Sequence, residues 1–402
     1  MALTTENFDL PVLSLGERDR RWHRVRQVMD ERSVDCLVTA PTTAKWGDYQ
    51  ADTRYLSHIG DGNCEAMVVF PKRGDVTAFV RGPGPDVDWE LKAQNWIDDV
   101  RGTGRMWGHA AAARIKELGL ERGTIGICGL AGVCRAPEGV ISYMTMKNLM
   151  DDLPGATFVN ATELTMSVRA IKSAEELSFL EKATEIAEYQ VRAIAATARP
   201  GMHEYEVHAE AVYAGLKRGG EYPYMFRWRA SHSPERQAWV PTHRVFQPGD
   251  IMINEIDAKW GGYEAQAVHA VQVGGRPRGD YLEMFDLSRK AFDLVIAMMA
   301  PGIAWGEMVR VYVDALRGTK YSPSTVLFIG RGLGEDQPMA GTNSSPEFLT
   351  GQLQPGNVLI VKPGICTDNH RFTVNVGDTV VVTDVGARRL GKRDLTPIVT
   401  EG

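Results

Sequence analysis

Residues 248–274, PGDIMINEIDAKWGGYEAQAVHAVQVG, carry the chain's most informative pattern of apolar and polar positions. Gly249-Asp250 opens the stretch and Ile251-Met252-Ile253 is apolar. Residues 259–262 supply a turn, and residues 263–273 return with alternating apolar residues. That pattern predicts a β-hairpin. Its inner face carries Glu255 and Gln266, with Asp257 nearby. Upstream, the charged, periodic residues 14–34 predict a helix. Strands are predicted at 36–38, from 54 to 57, at 66–70 and at 76–80, alternating with helical stretches to about residue 150. Leu153-Pro154-Gly155 then punctuates the chain, and we place a domain boundary there, giving 1–155 and 156–402. Ser173 with Glu176 three residues on is a capping box. It starts a long amphipathic helix that ends near Arg199-Pro200-Gly201, and a second helix begins at Glu204.

Composition narrows the function classes. A chain of 402 residues suits two cores better than one. Its 44% hydrophobic and 24% charged residues are ordinary for a globular protein. A formal net charge of −6 gives no reason to expect a nucleic-acid partner. No apolar run approaches the ~20 residues of a membrane span. The N-terminus MALTTENFDL lacks the basic and apolar regions of a signal peptide. Cys36, Cys64, Cys128, Cys134 and Cys366 form no CxxC pair. They read as reduced thiols of a cytoplasmic protein.

The hairpin, the Lys172-Ser173 and Glu175-Glu176 helix entry and the Arg199-Pro200-Gly201-Met202 link resemble the pita-bread family. That family contains methionine aminopeptidase, aminopeptidase P, prolidase and creatinase. The N-terminal pattern YLS followed by AMVVFP is similar to the first domain of the aminopeptidase P and creatinase branch. The resemblance implies a two-domain α/β protein: an N-terminal creatinase-like α/β domain and a C-terminal pita-bread α+β catalytic domain. Metallopeptidases of the family hold two divalent ions with two Asp, one His and two Glu. The matching positions here are Glu255, Gln266, Arg331, Lys362 and Gly377, with Asn375 where an Arg is usual. Four carboxylates have become one carboxylate and two cations. A dinuclear cation site does not survive that inversion in a low-dielectric pocket. We therefore expect no metal and no other cofactor.

The same positions suit an anion. Arg331 offers a bidentate fork and Lys362 a point charge. The alternative is an inert network in which they pair with Glu255, Glu335 or Asp336. Creatinase, the metal-free model, uses a His on the loop before the hairpin, and the matching residue here is Ala238. His232 lies on the same loop and is a candidate general base. Glu255, facing a closed pocket, is a candidate proton carrier with a raised pKa. Glu335 and Asp336 are further acid/base candidates, or orient His232. Gln266, Tyr263, Trp228, His269 and His370 are candidate substrate contacts, although alternation turns His269 to the other face from Gln266. Arg371 sits beside His370, and Trp239, Trp260 and Phe226 are further candidate apolar walls. By resemblance, Trp46, Tyr49, Arg54 and Asn63 of one subunit complete the other subunit's site in a homodimer. The expected function is metal-independent hydrolysis of a non-peptide C–N bond in a small anionic molecule. The alternatives are a cofactor-free lyase or decarboxylase, and a non-catalytic binding protein on a peptidase fold.

Overall fold

The computed structural model describes residues 10–42, 50–60, 64–133, 135–222, 225–235 and 240–402. The chain divides into two compact units. The first is Met1–Arg169 with Leu333–Glu335, and the second is Ala170–Gly332 with Asp336–Gly402. Helix Thr162–Arg169 thus belongs with the N-terminal unit.

Among the described residues, the N-terminal unit holds a six-stranded mixed sheet. Its order is Asp99–Gly102, Thr77–Val80, Ala66–Pro71, Cys36–Thr39, Thr124–Cys128, Thr157–Asn160. Strands Cys36–Thr39, Ala66–Pro71 and Thr77–Val80 are buried along their whole length, which is why they read as continuous apolar runs. One expectation fails here. Residues 54–57 belong to helix Ala51–Ser57, not to a strand. Ser57 Oγ donates to Thr53 O, and His58 at φ 64° closes the helix by donating its N–H to Arg54 O. Four residues without a period cannot separate the two structures. Burial pushes the Cys36 thiol up to about 12, so it is inert as a nucleophile. Cys36, Cys64, Cys128 and Cys366 are free, and Cys134 lies outside the described residues.

The second unit is organised by a twelve-stranded sheet among the described residues. At its centre is the hairpin of Asp250–Trp260 and Tyr263–His269. Trp260 pairs with Tyr263 across Gly261 (φ 56°) and Gly262 (φ 85°). Two successive positive φ values define a tight turn of the kind that matches strand twist, and glycine reaches both without Cβ strain. The capping box is present in full: Ser173 Oγ accepts from Glu176 N, and Glu176 accepts from Ser173 N. It starts the 24-residue helix Ala174–Thr197, which packs with helix Glu204–Leu216 on one side of the hairpin. The contact is apolar, with Ile186, Val191, Ile194 and Val207 from the helices against Trp228, Ile256, Ala258 and Ala267 from the strands. Helix Gly279–Met298 packs on strand Thr373–Val382. No helix is long and apolar enough to cross a membrane among the described residues.

Candidate functional site

Strand register decides which side chains share a face. Asp257 pairs with Gln266 and Lys259 with Glu264, so these four and Glu255 project to one side. Gly377 pairs with Val268 and therefore faces the same way as Gln266. Ile360 pairs with Thr379 and with Ile329, which puts Lys362 and Arg331, each two residues on, on that side too. Both sit one residue past a strand end and are held by backbone bonds. Lys362 N donates to Leu327 O and Arg331 N to Val358 O, each at 2.8 Å. Arg227 pairs with Glu255, which adds Arg227 and Arg229 to the face.

The sheet brings these groups together by curling. The strands before Lys362 and after Asp250 are three neighbours apart in the sheet. On a flat sheet that is ~14 Å between strands. Yet Lys362 Nζ lies 2.9 Å from Glu255 Oε1. Arg331, one strand further out, has Nη2 3.6 Å from Asp257 Oδ1. Arg227 Nη1 is 3.6 Å from Glu255 Oε2, and Lys259 Nζ is 3.7 Å from Glu264 Oε1. Arg331 is fully buried and Lys362, Glu255 and Asp257 nearly so. Gln266 Nε2 donates to Asp257 Oδ1 at 2.8 Å. A carboxylate only accepts, so the amide orientation is fixed. That leaves Gln266 Oε1 as a buried acceptor without a hydrogen-bond partner among the described residues. Asn375 Oδ1, on the same face two residues from Gly377, is in the same condition.

The donor set does not fit the pair of divalent cations that the family resemblance implies. Glu255 faces an ammonium and Asp257 a guanidinium, and Gln266 turns its N–H inward. Where the second metal-binding Glu is expected there is no room for any side chain. A Cβ on Gly377 would lie 2.4 Å from Val361 O and 2.7 Å from Lys362 Cβ. Among the described residues, no group of three or more His, Cys, Asp and Glu side chains is arranged to hold a metal.

The predicted site residues divide into three groups. Glu255, Gln266, Arg331 and Lys362 come together as described. Lys362 and Arg331 find local carboxylates, Glu255 and Asp257. Asp336 takes Lys172 at 2.7 Å. Glu335 falls in the N-terminal unit, where Arg135 Nε and Nη2 donate to its two oxygens at 2.5 and 2.8 Å.

The second group is turned away. Trp228, Tyr263 and His269, expected as substrate contacts, lie on the opposite, helix-covered face with Trp260 and Phe226. Trp228 Nε1 donates to Glu204 at 3.3 Å and the Tyr263 hydroxyl to Glu176 at 2.9 Å. His269 Nε2 lies 3.0 Å from Thr396 O, and burial, reinforced by the Arg393 charge, lowers its pKa to about 3. His269 is therefore a neutral core histidine.

The third group is peripheral or undescribed. His232 and His370 are exposed, as is Arg371, and Arg54 is half-buried on its short helix in the N-terminal unit. Trp46, Tyr49, Asn63, Ala238 and Trp239 lie outside the described residues. Sequence reading missed Arg227 and Arg229. Their signal was present in Phe226–Ser231, FRWRAS, where two arginines alternate with two core residues.

Comparison with known proteins agrees with this architecture. Residues 21–171 match the Creatinase/Prolidase N-terminal domain, and residues 178–384 match Metallopeptidase family M24. The chain is 26% identical over 259 residues to an Xaa-Pro dipeptidase of Pyrococcus furiosus, covering 64% of this chain and 73% of that one. It is 22% identical over 382 residues to a creatinase of Bacillus sp. strain B-0618, covering 88% and 85%. The solved Xaa-Pro dipeptidase from Bacillus anthracis superposes with a TM-score of 0.79 at 19% identity, covering 95% and 99%. This chain belongs to Metallopeptidase family M24, with a Creatinase/Prolidase N-terminal domain preceding the family's catalytic domain.

Proposed function

We propose that the protein is a metal-independent hydrolase that cleaves a non-peptide C–N bond in a small anionic molecule. The observation that carries this reading is the replacement of metal ligands by buried cations, with Lys362 2.9 Å from Glu255. Fixed positive charge in a dry site stabilises negative charge developing on a reacting carbon's oxygen without a bound ion. Arg331 and Lys362 hold the substrate anion, sharing it with their present carboxylate partners. The unpaired Gln266 Oε1 and Asn375 Oδ1 accept N–H groups of the substrate. Glu255 takes a proton from the attacking water as the C–O bond forms. It then returns the proton to the departing nitrogen as the C–N bond breaks. Similarity to a protein named a creatinase supports the reading, and similarity to Xaa-Pro dipeptidases supports the competing one, peptide cleavage. The protein acts as a homodimer on this reading, which light scattering tests directly.

The deciding experiment offers two substrate sets, each with EDTA and with added Mn²⁺. One set is small carboxylates bearing guanidino, ureido or amide nitrogen; the other is Xaa-Pro dipeptides. Release of amine or ammonia from the first set in EDTA is expected. Cleavage confined to Xaa-Pro dipeptides and dependent on Mn²⁺ would overturn the proposal.

A further inference from the structure

We propose that Ser288 is a positioning residue: its hydroxyl, inserted between two strands beside Lys362, sets the distance from that cation to the Asn375 amide oxygen and so selects substrate length. The assignment rests on the anion-binding reading above. It deepens that reading from a small anion to a carboxylate that carries a hydrogen-bond donor at one fixed distance.

Strand Thr373–Val382 pairs antiparallel with two successive strands, Val358–Val361 and Gly364–Thr367. Val361 faces Asp378 and Gly364 faces Asn375. One register runs through both pairings, so Lys362 falls opposite Gly377 and Pro363 opposite Val376. The strand breaks between Val361 and Gly364. Pro363 has no N–H to donate, so a two-way ladder pair cannot form there. The Ser288 hydroxyl stands in the gap. It donates to Pro363 O at 2.5 Å and accepts from Val376 N at 3.0 Å. Two hydrogen bonds in series take the place of one, which holds the strands further apart here than a direct ladder bond would.

Ser288 reaches the gap from helix Gly279–Met298, which packs on strand Thr373–Val382. It is fully buried, and Phe285, Ala291 and Phe292, which share its helix face, belong to an apolar core. A hydroxyl buried in such a place costs stability unless it is bonded, and this one uses both its donor and an acceptor position. Lys362 immediately precedes Pro363, and Asn375 immediately precedes Val376. A shift at either end of the bridge therefore moves a site group. Lys362 Nζ lies 2.9 Å from Glu255, and Asn375 Oδ1 is buried without a hydrogen-bond partner among the described residues. A substrate that reaches from the ammonium to the amide oxygen must match the span that Ser288 fixes.

The test uses glycolate, 3-hydroxypropionate and 4-hydroxybutyrate, which carry a hydroxyl donor on successively more distant carbons, with butyrate as the probe that has none. None contains a C–N bond, so the proposed reaction consumes none of them. Dissociation constants are measured by calorimetry at constant ionic strength on the full chain, for the natural protein, Ser288→Ala and Ser288→Thr. In the natural protein one of the three hydroxy acids is expected to bind at least ~10-fold tighter than the other two. Ser288→Ala reduces that preference to within ~3-fold while butyrate still binds, because the two strands are no longer tied at one separation. Ser288→Thr, which keeps the hydroxyl, keeps the preference. If the alanine variant does not fold, Ser288→Cys, close in size and with a weak S–H donor, takes its place and shows a partial loss. No length preference in the natural protein, a preference that survives the loss of the hydroxyl, or one lost equally in Ser288→Thr overturns the inference and leaves the anion site standing. Failure of all four probes to bind overturns the anion-site reading itself, and this inference with it.

Discussion

The two faces of the hairpin Asp250–Trp260 and Tyr263–His269 are made of alternate residues on the same strands, and they handle buried polarity differently. From Asn254 to His269 the helix-covered face carries neutral polar groups instead of charges, with hydrogen bonds to most of them and His269 Nδ1 left without a partner among the described residues. Asn254 Nδ2 donates to His269 O at 2.7 Å and Asn254 Oδ1 accepts from His269 N at 3.0 Å. His269 is held neutral by burial. The site face keeps full charges, with ion pairs at 3.6 to 3.7 Å among them, and leaves the Gln266 amide oxygen unpartnered among the described residues. Both faces are inaccessible to solvent, so exposure does not explain the difference. Burying full charges costs stability, and such costs concentrate at functional sites.

The largest expected effect comes from breaking a pair on the site face. Lys362→Met removes the ammonium 2.9 Å from the buried Glu255, with Arg227 standing further off at 3.6 Å. We expect a loss of ~3–5 kcal/mol in denaturant unfolding, most of it restored in the double variant with Glu255→Gln. A loss that the second substitution does not restore would mean that the two residues are not coupled.

On the other face the effect depends on pH. The folded pKa of His269 is about 3 against an ordinary 6.5, so between those values the unfolded chain binds the extra proton. Stability therefore falls as pH drops from 6.5 toward 3, by a few kcal/mol from this residue. In His269→Asn, whose amide can still donate to Thr396 O, that component disappears. The gap in unfolding midpoint between pH 7 and pH 4.5 should narrow relative to the natural protein. An unchanged gap would place the titrating group elsewhere.

A smaller effect is expected at Gly377, where the two sequence features that define the site meet. Gly377→Ala forces a Cβ against Val361 O and Lys362 Cβ. The expected cost is ~1–3 kcal/mol in thermal or denaturant unfolding. If alanine is tolerated without loss, a glutamate there becomes conceivable and the site is less committed to its cations than described.

Much of this was legible in the residues. The capping box, the hairpin and the placement of His269 opposite Gln266 follow from spacing and alternation alone. Alternation also assigns Tyr263 to the far side of Gln266, but aromatic character drew it into the site reading, as it did Trp228. Partner choice was legible only in part: the alternative network named Glu255 as a partner of the two cations, and Lys362 takes it, but Asp257 as the partner of Arg331 was not foreseen. Spacing singled out Glu255 and Gln266, whereas the pairing register joins Gln266 to Asp257 and leaves Glu255 for Lys362. That outcome depends on the curl of the sheet across strands more than 100 residues apart in sequence, which local pattern does not encode. The short helix Ala51–Ser57 was lost for a different reason: its buried Tyr55-Leu56 run has no period to read.

The central claim is that fixed cations stand where the family's metal ions stand, and that they bind an anion unaided. The most direct test is the dissociation constant of butyrate, measured by calorimetry before and after exhaustive EDTA treatment and again with Mn²⁺ or Zn²⁺ restored. The account predicts the same constant in all three states. Binding that disappears with EDTA and returns with the divalent ion would contradict it.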